Sequence, residues 1–158
     1  MDGAVDRVHA TAIAVDGRAI LIRGPSGSGK SDLAFRCLAL PASPFVPAPV
    51  RLVADDQVLL KRNGLALIAS PPATLTGKIE VRGVGILDVG ALNEASIALV
   101  ADIVASGPIE RYPDPWPVTQ LLGLDVPVLG ISAYEASAPL KLLAALTLAR
   151  LPSLKQVG

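Results

Sequence analysis

The sequence is short of the residues on which several kinds of chemistry depend. Cys37 is its only cysteine and His9 its only histidine. A single cysteine excludes an internal disulfide, so a cytoplasmic setting is expected. An excess of charge is also missing. Fourteen basic residues balance fourteen acidic ones, and no Lys/Arg cluster forms locally, so no electrostatic footprint for nucleic acid is present. Long apolar runs are lacking too. Asp102 interrupts the run from Ile97 to Val104, and Lys141 and Arg150 lie within the run from Leu140 to Leu151. Neither approaches the roughly 18 apolar residues of a membrane span. The first ten residues, MDGAVDRVHA, carry two aspartates in place of the basic-then-apolar plan of a secretory leader. Internal repeats and low-complexity tracts are absent.

What is present is expected to form one domain, residues 1–158. A hydrophobic share of 51% against 18% charged residues is enough for a proper core and argues against disorder. The chain is organised around Ala19 to Ala34, AILIRGPSGSGKSDLA, in which an apolar strand runs into Gly24-Pro25-Ser26-Gly27-Ser28-Gly29-Lys30-Ser31 and an amphipathic helix follows. The spacing is that of a P-loop. Its glycines let successive N–H groups turn inward around a phosphate. Lys30 can reach the β- and γ-phosphates, the Ser31 hydroxyl can hold Mg²⁺, and the helix adds the positive end of its dipole. A Gly/Ser-rich turn without a ligand is the bland alternative, disfavoured by the strand before the loop and the helix after it. Cys37, on that helix, reads as a small core residue.

Around the loop the pattern predicts an α/β fold with a mixed sheet and β-hairpins. Val8–Val15 and Arg18–Arg23 read as strands joined at Asp16-Gly17, so the strand feeding the P-loop should have an antiparallel neighbour. The helix from about Ser31 to Leu40 is expected to stop at Pro41, before the proline-rich loop Pro41–Pro49. Arg51–Ala54 is a short strand that delivers Asp55 and Asp56. One carboxylate there can bind or orient a metal and the other can accept a proton, although acidic pairs also occur in plain turns. Asn63-Gly64 predicts a further hairpin between 57–61 and 65–69. In Lys78–Val89, KIEVRGVGILDV, Glu80 and Arg82 alternate with Ile79 and Val81 and should project from one face of a strand. They suit a metal–phosphate site or a surface ion pair equally. Ile97–Val104 reads as a buried strand, 106–120 as irregular because of its prolines, Val126–Ile131 as a strand, and Ala138–Leu151 as a helix.

Taken together, four stretches resemble the catalytic domain of the bacterial HPr kinase/phosphorylase family. They are His9-Ala10, against the family's His-Gly; the P-loop with Lys30-Ser31-Asp32, against Lys-Ser-Glu; Leu52-Val53-Ala54-Asp55-Asp56; and Glu80-Val81-Arg82-Gly83-Val84-Gly85-Ile86-Leu87-Asp88-Val89. The resemblance is good over about 8–105. It implies a kinase that uses ATP and Mg²⁺ to phosphorylate a serine of HPr, the small phosphocarrier of phosphotransferase systems. It also implies Asp55 as proton acceptor, Lys30 as the phosphate-binding lysine, and Ser31 and Glu80 as Mg²⁺ ligands supported by Asp56. His9 matches an active-site histidine, although from the residues alone it reads as an ordinary one. Arg111, in Ile109-Glu110-Arg111-Tyr112-Pro113, is the candidate for a family arginine. Family members form hexamers.

The resemblance begins almost at the first residue, so a short form without the family's N-terminal domain, similar to those of alphaproteobacteria, is expected. Pro127–Glu135 replaces the family's arginine-containing Pro-Val-Arg-Pro-Gly-Arg-Asn segment, which is associated with dephosphorylation. Kinase activity is therefore expected ahead of phosphorolysis. A P-loop kinase on another substrate, or a non-catalytic nucleotide-binding regulator, are the alternatives.

Overall fold

The computed structural model describes residues 4–105, 115–149 and 152–154. In chain order the strands and helices are β1 (Val5–Val8), β2 (Ala10–Val15), β3 (Arg18–Arg23), α1 (Lys30–Leu38), β4 (Arg51–Ala54), β5 (Val58–Asn63), β6 (Ala66–Ser70), β7 (Lys78–Val81), β8 (Gly85–Asp88), β9 (Ala95–Ile103), β10 (Val118–Leu121), β11 (Leu124–Ile131), α2 (Ala138–Leu148) and β12 (Ser153–Leu154). A mixed sheet runs β1-β5-β6-β9-β3-β2-β4, and β11, which carries β10 and β12, joins β9. The fold is α/β, as the sequence predicts.

β3, the strand that enters the P-loop, has an antiparallel neighbour in β2 and a parallel one in β9. The β2–β3 turn is made by Asp16 and Gly17, with φ of 52° and 76°, the two left-handed residues that a tight hairpin matching strand twist requires. β9 then runs parallel to β11 through the pairs Val100–Val128 to Ile103–Ile131. The parallel trio β3, β9 and β11 is apolar on both faces because both are covered. Alternation sorts its residues. Ile13, Val15, Ile20, Ile22, Leu99 and Ala101 meet Leu33, Cys37, Leu142, Leu143 and Leu146 of the helices. Ala12, Ala14, Ala19, Leu21 and Val100 turn to the other face, where Val58, Leu60 and Leu67 of the curled sheet close over them. Burial pushes the Cys37 thiol up to about 12, which keeps it a neutral core group.

Several boundaries differ from the sequence expectation. The first strand is broken at His9, which separates β1, paired with β5, from β2. The turn after β5 is centred on Gly64 and Leu65, one residue later than Asn63-Gly64, because Asn63 is still paired with Ala66. Val118–Leu121 is a strand despite Pro115 and Pro117; it pairs with β11, and the Pro117 carbonyl accepts a hydrogen bond from Val128 N at 2.9 Å. Proline lacks a donor but keeps its acceptor, so it is tolerated where the pairing begins. α2 stops at Leu148. There Arg18 donates to the carbonyls of Leu146 and Ala149 at 3.0 and 3.1 Å, satisfying acceptors the helix end leaves open. Among the described residues no helix is long and apolar enough to cross a membrane.

Candidate active site at the mouth of the phosphate loop

The P-loop, the ends of β2 and β4, the β7–β8 hairpin and the turn after β11 enclose a cleft of about 590 Å³. His9, Ser26, Gly27, Gly29, Lys30, Ser31, Asp56, Glu80, Arg82 and Tyr134 are among its lining residues. The loop owes its shape to small residues. A Cβ at position 24 would lie 2.5 Å from Ser28 Oγ, whose hydroxyl is buried without a hydrogen-bond partner among the described residues. Gly29 has φ of 100° and would press a Cβ to within 3.2 Å of the Tyr134 hydroxyl. Gly29 also supplies no side chain to cap α1, so the first N–H groups of the helix face the cleft and are available to an anion. Lys30 is 93% removed from solvent and donates to the carbonyls of Gly24 and Pro25 at 2.7 and 3.0 Å. Its ammonium thus lies within the loop that would hold phosphate.

Asp55 and Asp56 both follow the end of β4, yet their side chains part. Asp55 is buried at 6% exposure. Its Oδ1 accepts hydrogen bonds from Thr11 Oγ1 at 2.9 Å and Ser31 Oγ at 2.6 Å, and its Oδ2 accepts one from the Glu80 backbone N–H at 3.2 Å. One carboxylate therefore ties together β2, α1 and β7. Asp56 has φ of 67°, a left-handed conformation that aspartate tolerates better than most residues. That turn aims its side chain outward, where it is 66% exposed, with Oδ1 2.9 Å from His9 Nε2.

The short strand expected here is one half of a hairpin, turned where the glycines at 83 and 85 permit it. β7 and β8 pair only with each other, through a turn at 82–84 in which Gly83 has φ of 83°. Ile79 is fully buried and anchors the hairpin, while Glu80 is exposed at the cleft. Arg82 lies in the turn and not on the strand, yet it reaches the same cleft. Lys78 and Asp88 close the hairpin's open end at 2.9 Å; this bond and one from Gly90 N–H hold the Asp88 carboxyl below the usual carboxylate range.

The structure thus brings together His9, the loop 24–31, Asp55, Asp56 and Glu80. Arg111 lies outside the described residues. Sequence reasoning missed Thr11, Phe35 and Tyr134. Thr11 had a signal: it is a hydroxyl in the middle of an apolar strand, which is fully buried and finds its partner in Asp55. Tyr134 had none, because only the path of the chain carries it to Gly29.

The donor set around Ser31 consists of a hydroxyl and carboxylates, the hard oxygen ligands that suit Mg²⁺. Among the described residues no three His, Cys, Asp or Glu side chains group closely enough to cage an ion.

Comparison with known proteins gives a consistent result. Residues 4–132 match the family described as HPr Serine kinase C-terminal domain. The HPr kinase/phosphorylase of Clostridium botulinum (strain Eklund 17B / Type B) is 32% identical over 139 residues, which cover 85% of this chain and 43% of that protein. The HPr kinase/phosphorylase of Clostridium acetobutylicum is 39% identical over 93 residues, covering 59% of this chain and 28% of the relative. The chain thus spans well under half the length of these curated relatives. A solved structure, the Hpr(Ser) kinase/phosphatase from Coxiella burnetii, is similar with a TM-score of 0.73 at 26% identity, covering 90% of this chain and 88% of that one.

Proposed function

The chain belongs to the HPr Serine kinase C-terminal domain family, and on that premise we propose that it is an ATP-dependent kinase that phosphorylates a serine of an HPr-like phosphocarrier. The observation that carries this reading is the meeting of loop and carboxylates: Ser31 of the P-loop hydrogen-bonds Asp55 at 2.6 Å, and Asp56 and His9 stand beside them at the open rim. The loop amides and Lys30 hold the β- and γ-phosphates, with Lys30 exchanging its two carbonyl partners for phosphate oxygens. Ser31 and Glu80 would hold Mg²⁺, which neutralises phosphate charge when bound.

The serine Oγ attacks the γ-phosphorus, the bond to the β–γ bridging oxygen breaks, and ADP leaves. The hydroxyl proton passes to a carboxylate. The resemblance assigns that proton to Asp55, with Asp56 supporting metal or geometry. Burial supports the exchange of these roles. Asp55 has both oxygens engaged beneath the cleft, where it orients Ser31. Asp56 is open to an arriving hydroxyl, and His9 steadies it.

Incubation with γ-labelled ATP and purified HPr tests the proposal. Label on a serine of HPr supports it, whereas ATP binding without transfer favours a nucleotide-binding regulator. Phospho-HPr with added phosphate tests the reverse direction; Val128, Leu129, Gly130, Ile131 and Ser132 stand without an arginine in the segment tied to that reaction, so little phosphorolysis is expected.

A further inference from the structure

The nucleoside end of the ligand has no assigned partner, and the topology supplies one. In the sheet β4 and β2 lie on one side of β3, while β9 and β11 lie on the other. The P-loop leaves the end of β3. Asp56 follows β4 and His9 precedes β2, so the proton-accepting rim is on the first side of the loop. Tyr134 follows β11 on the opposite side. In phosphoryl transfer the attacking and leaving oxygens are roughly in line through phosphorus. An acceptor serine arriving at His9 and Asp56 therefore sends the ADP end toward Tyr134.

The side chain there is built to receive a flat ring. Tyr134 is 74% exposed, lines the cleft, and sets its hydroxyl and Cζ against Gly29 at the start of α1. An exposed aromatic is usually mobile, but this one stands on a fastened turn. Arg36 of α1 donates to the Ala133 carbonyl and, at 3.3 Å, to the Glu135 carbonyl, while Asp32 holds the same guanidinium at 3.0 Å. Lys141 of α2 pairs with Glu135 at 2.6 Å, and Glu135 N–H donates to Ser132 O. The two flanks of Tyr134 are thus tied to both helices. Phe35, on α1, adds a second aromatic to the same cleft. Preorganisation of this kind lowers the ordering cost of a stacking contact.

We infer that Tyr134 is the nucleobase platform of the site, stacking on the ring of a nucleoside triphosphate whose phosphates lie in the loop 24–31. The inference rests on the phosphate-site reading above. Calorimetric titration of the full chain in Mg²⁺ with ATP and, separately, with inorganic tripolyphosphate tests both. The unaltered protein should bind ATP more tightly than tripolyphosphate. Tyr134→Ala should weaken ATP about 5- to 150-fold, the range of one base–aromatic stack, and leave tripolyphosphate unchanged. Tyr134→Phe should bind ATP as the unaltered protein does. Unchanged ATP affinity in Tyr134→Ala overturns the inference. Equal losses in Tyr134→Phe and Tyr134→Ala overturn it in favour of a hydroxyl–phosphate contact. Loss of tripolyphosphate binding in Tyr134→Ala overturns it in favour of support to the loop. If the unaltered protein binds neither ligand, the phosphate-site reading itself fails.

Discussion

Asp55 and Asp56 are joined by one peptide bond and sit in different surroundings. Asp55 belongs to a buried floor made with Thr11 and Ser31, where its carboxylate is a structural acceptor. Asp56 belongs to an open rim with His9, Glu80 and Arg82, where the solvent and any partner meet it. The left-handed backbone at Asp56 produces the division, since φ of 67° turns the second side chain away from the first. Two neighbouring carboxylates thereby meet different partners: the loop's serine on the floor, and His9 at the rim. Floor substitutions should cost stability first, and rim substitutions should cost turnover alone.

The largest expected effect lies where floor and rim converge. Lys30→Ala removes the cation that neutralises the transferring phosphoryl group, and labelled-phosphate transfer should fall about 10³- to 10⁵-fold, as when other transition-state cations are removed. Asp56→Asn keeps the left-handed turn, which asparagine also tolerates. It should lower turnover by about 10²- to 10⁴-fold, the usual range for a general base, with urea stability unchanged. Normal transfer by Asp56→Asn would end the exchange of roles proposed above and return the proton to Asp55.

Asp55→Ala works on the floor and leaves two hydroxyls and the Glu80 N–H without their acceptor. Denaturant unfolding should show a loss of about 1–3 kcal/mol. Thr11→Val deletes one hydroxyl of that group and should cost about 1 kcal/mol by the same measurement. A loss as large as that of Asp55→Ala would show that the floor hangs on Thr11 instead.

The smallest effect concerns the hairpin that brings Glu80 to the rim. Its Asp88 carboxyl is held below its ordinary value of 3.8, chiefly by the hydrogen bond from Lys78. A carboxylate with a depressed folded value adds stability that is complete above its unfolded value and is lost as pH falls through the folded one. Amide signals of Val89 and Gly90 should therefore hold steady on acidification from neutral pH to about 4, and shift only below 3.8. A midpoint at or above 3.8 would mean that Lys78 does not hold this carboxylate.

Much of this was legible in residue order. The P-loop spacing and the Asp16-Gly17 turn are local signals, and each appears where the pattern placed it. The Lys78–Val89 stretch shows the limit. Alternation put Glu80 and Arg82 on one face of a short strand, but the strand ends at Val81 and leaves Arg82 in the turn. Strand pairing is a contest among distant segments, so local periodicity does not decide where a strand turns. His9 breaks a predicted strand for the same reason: β1 pairs with β5, some fifty residues on, and β2 pairs with β3.

Residue order alone dictates a glycine-rich loop of P-loop spacing between a strand and a helix, because glycine conformations, a lysine and a hydroxyl at fixed spacing are short-range properties. The family relationship is also carried there. Only the folded chain decides which aspartate is buried and that a tyrosine more than a hundred residues from Gly29 covers it. Those outcomes depend on the sheet order β4-β2-β3-β9-β11, which is set by burial of two apolar faces at once and by contacts far apart in the chain.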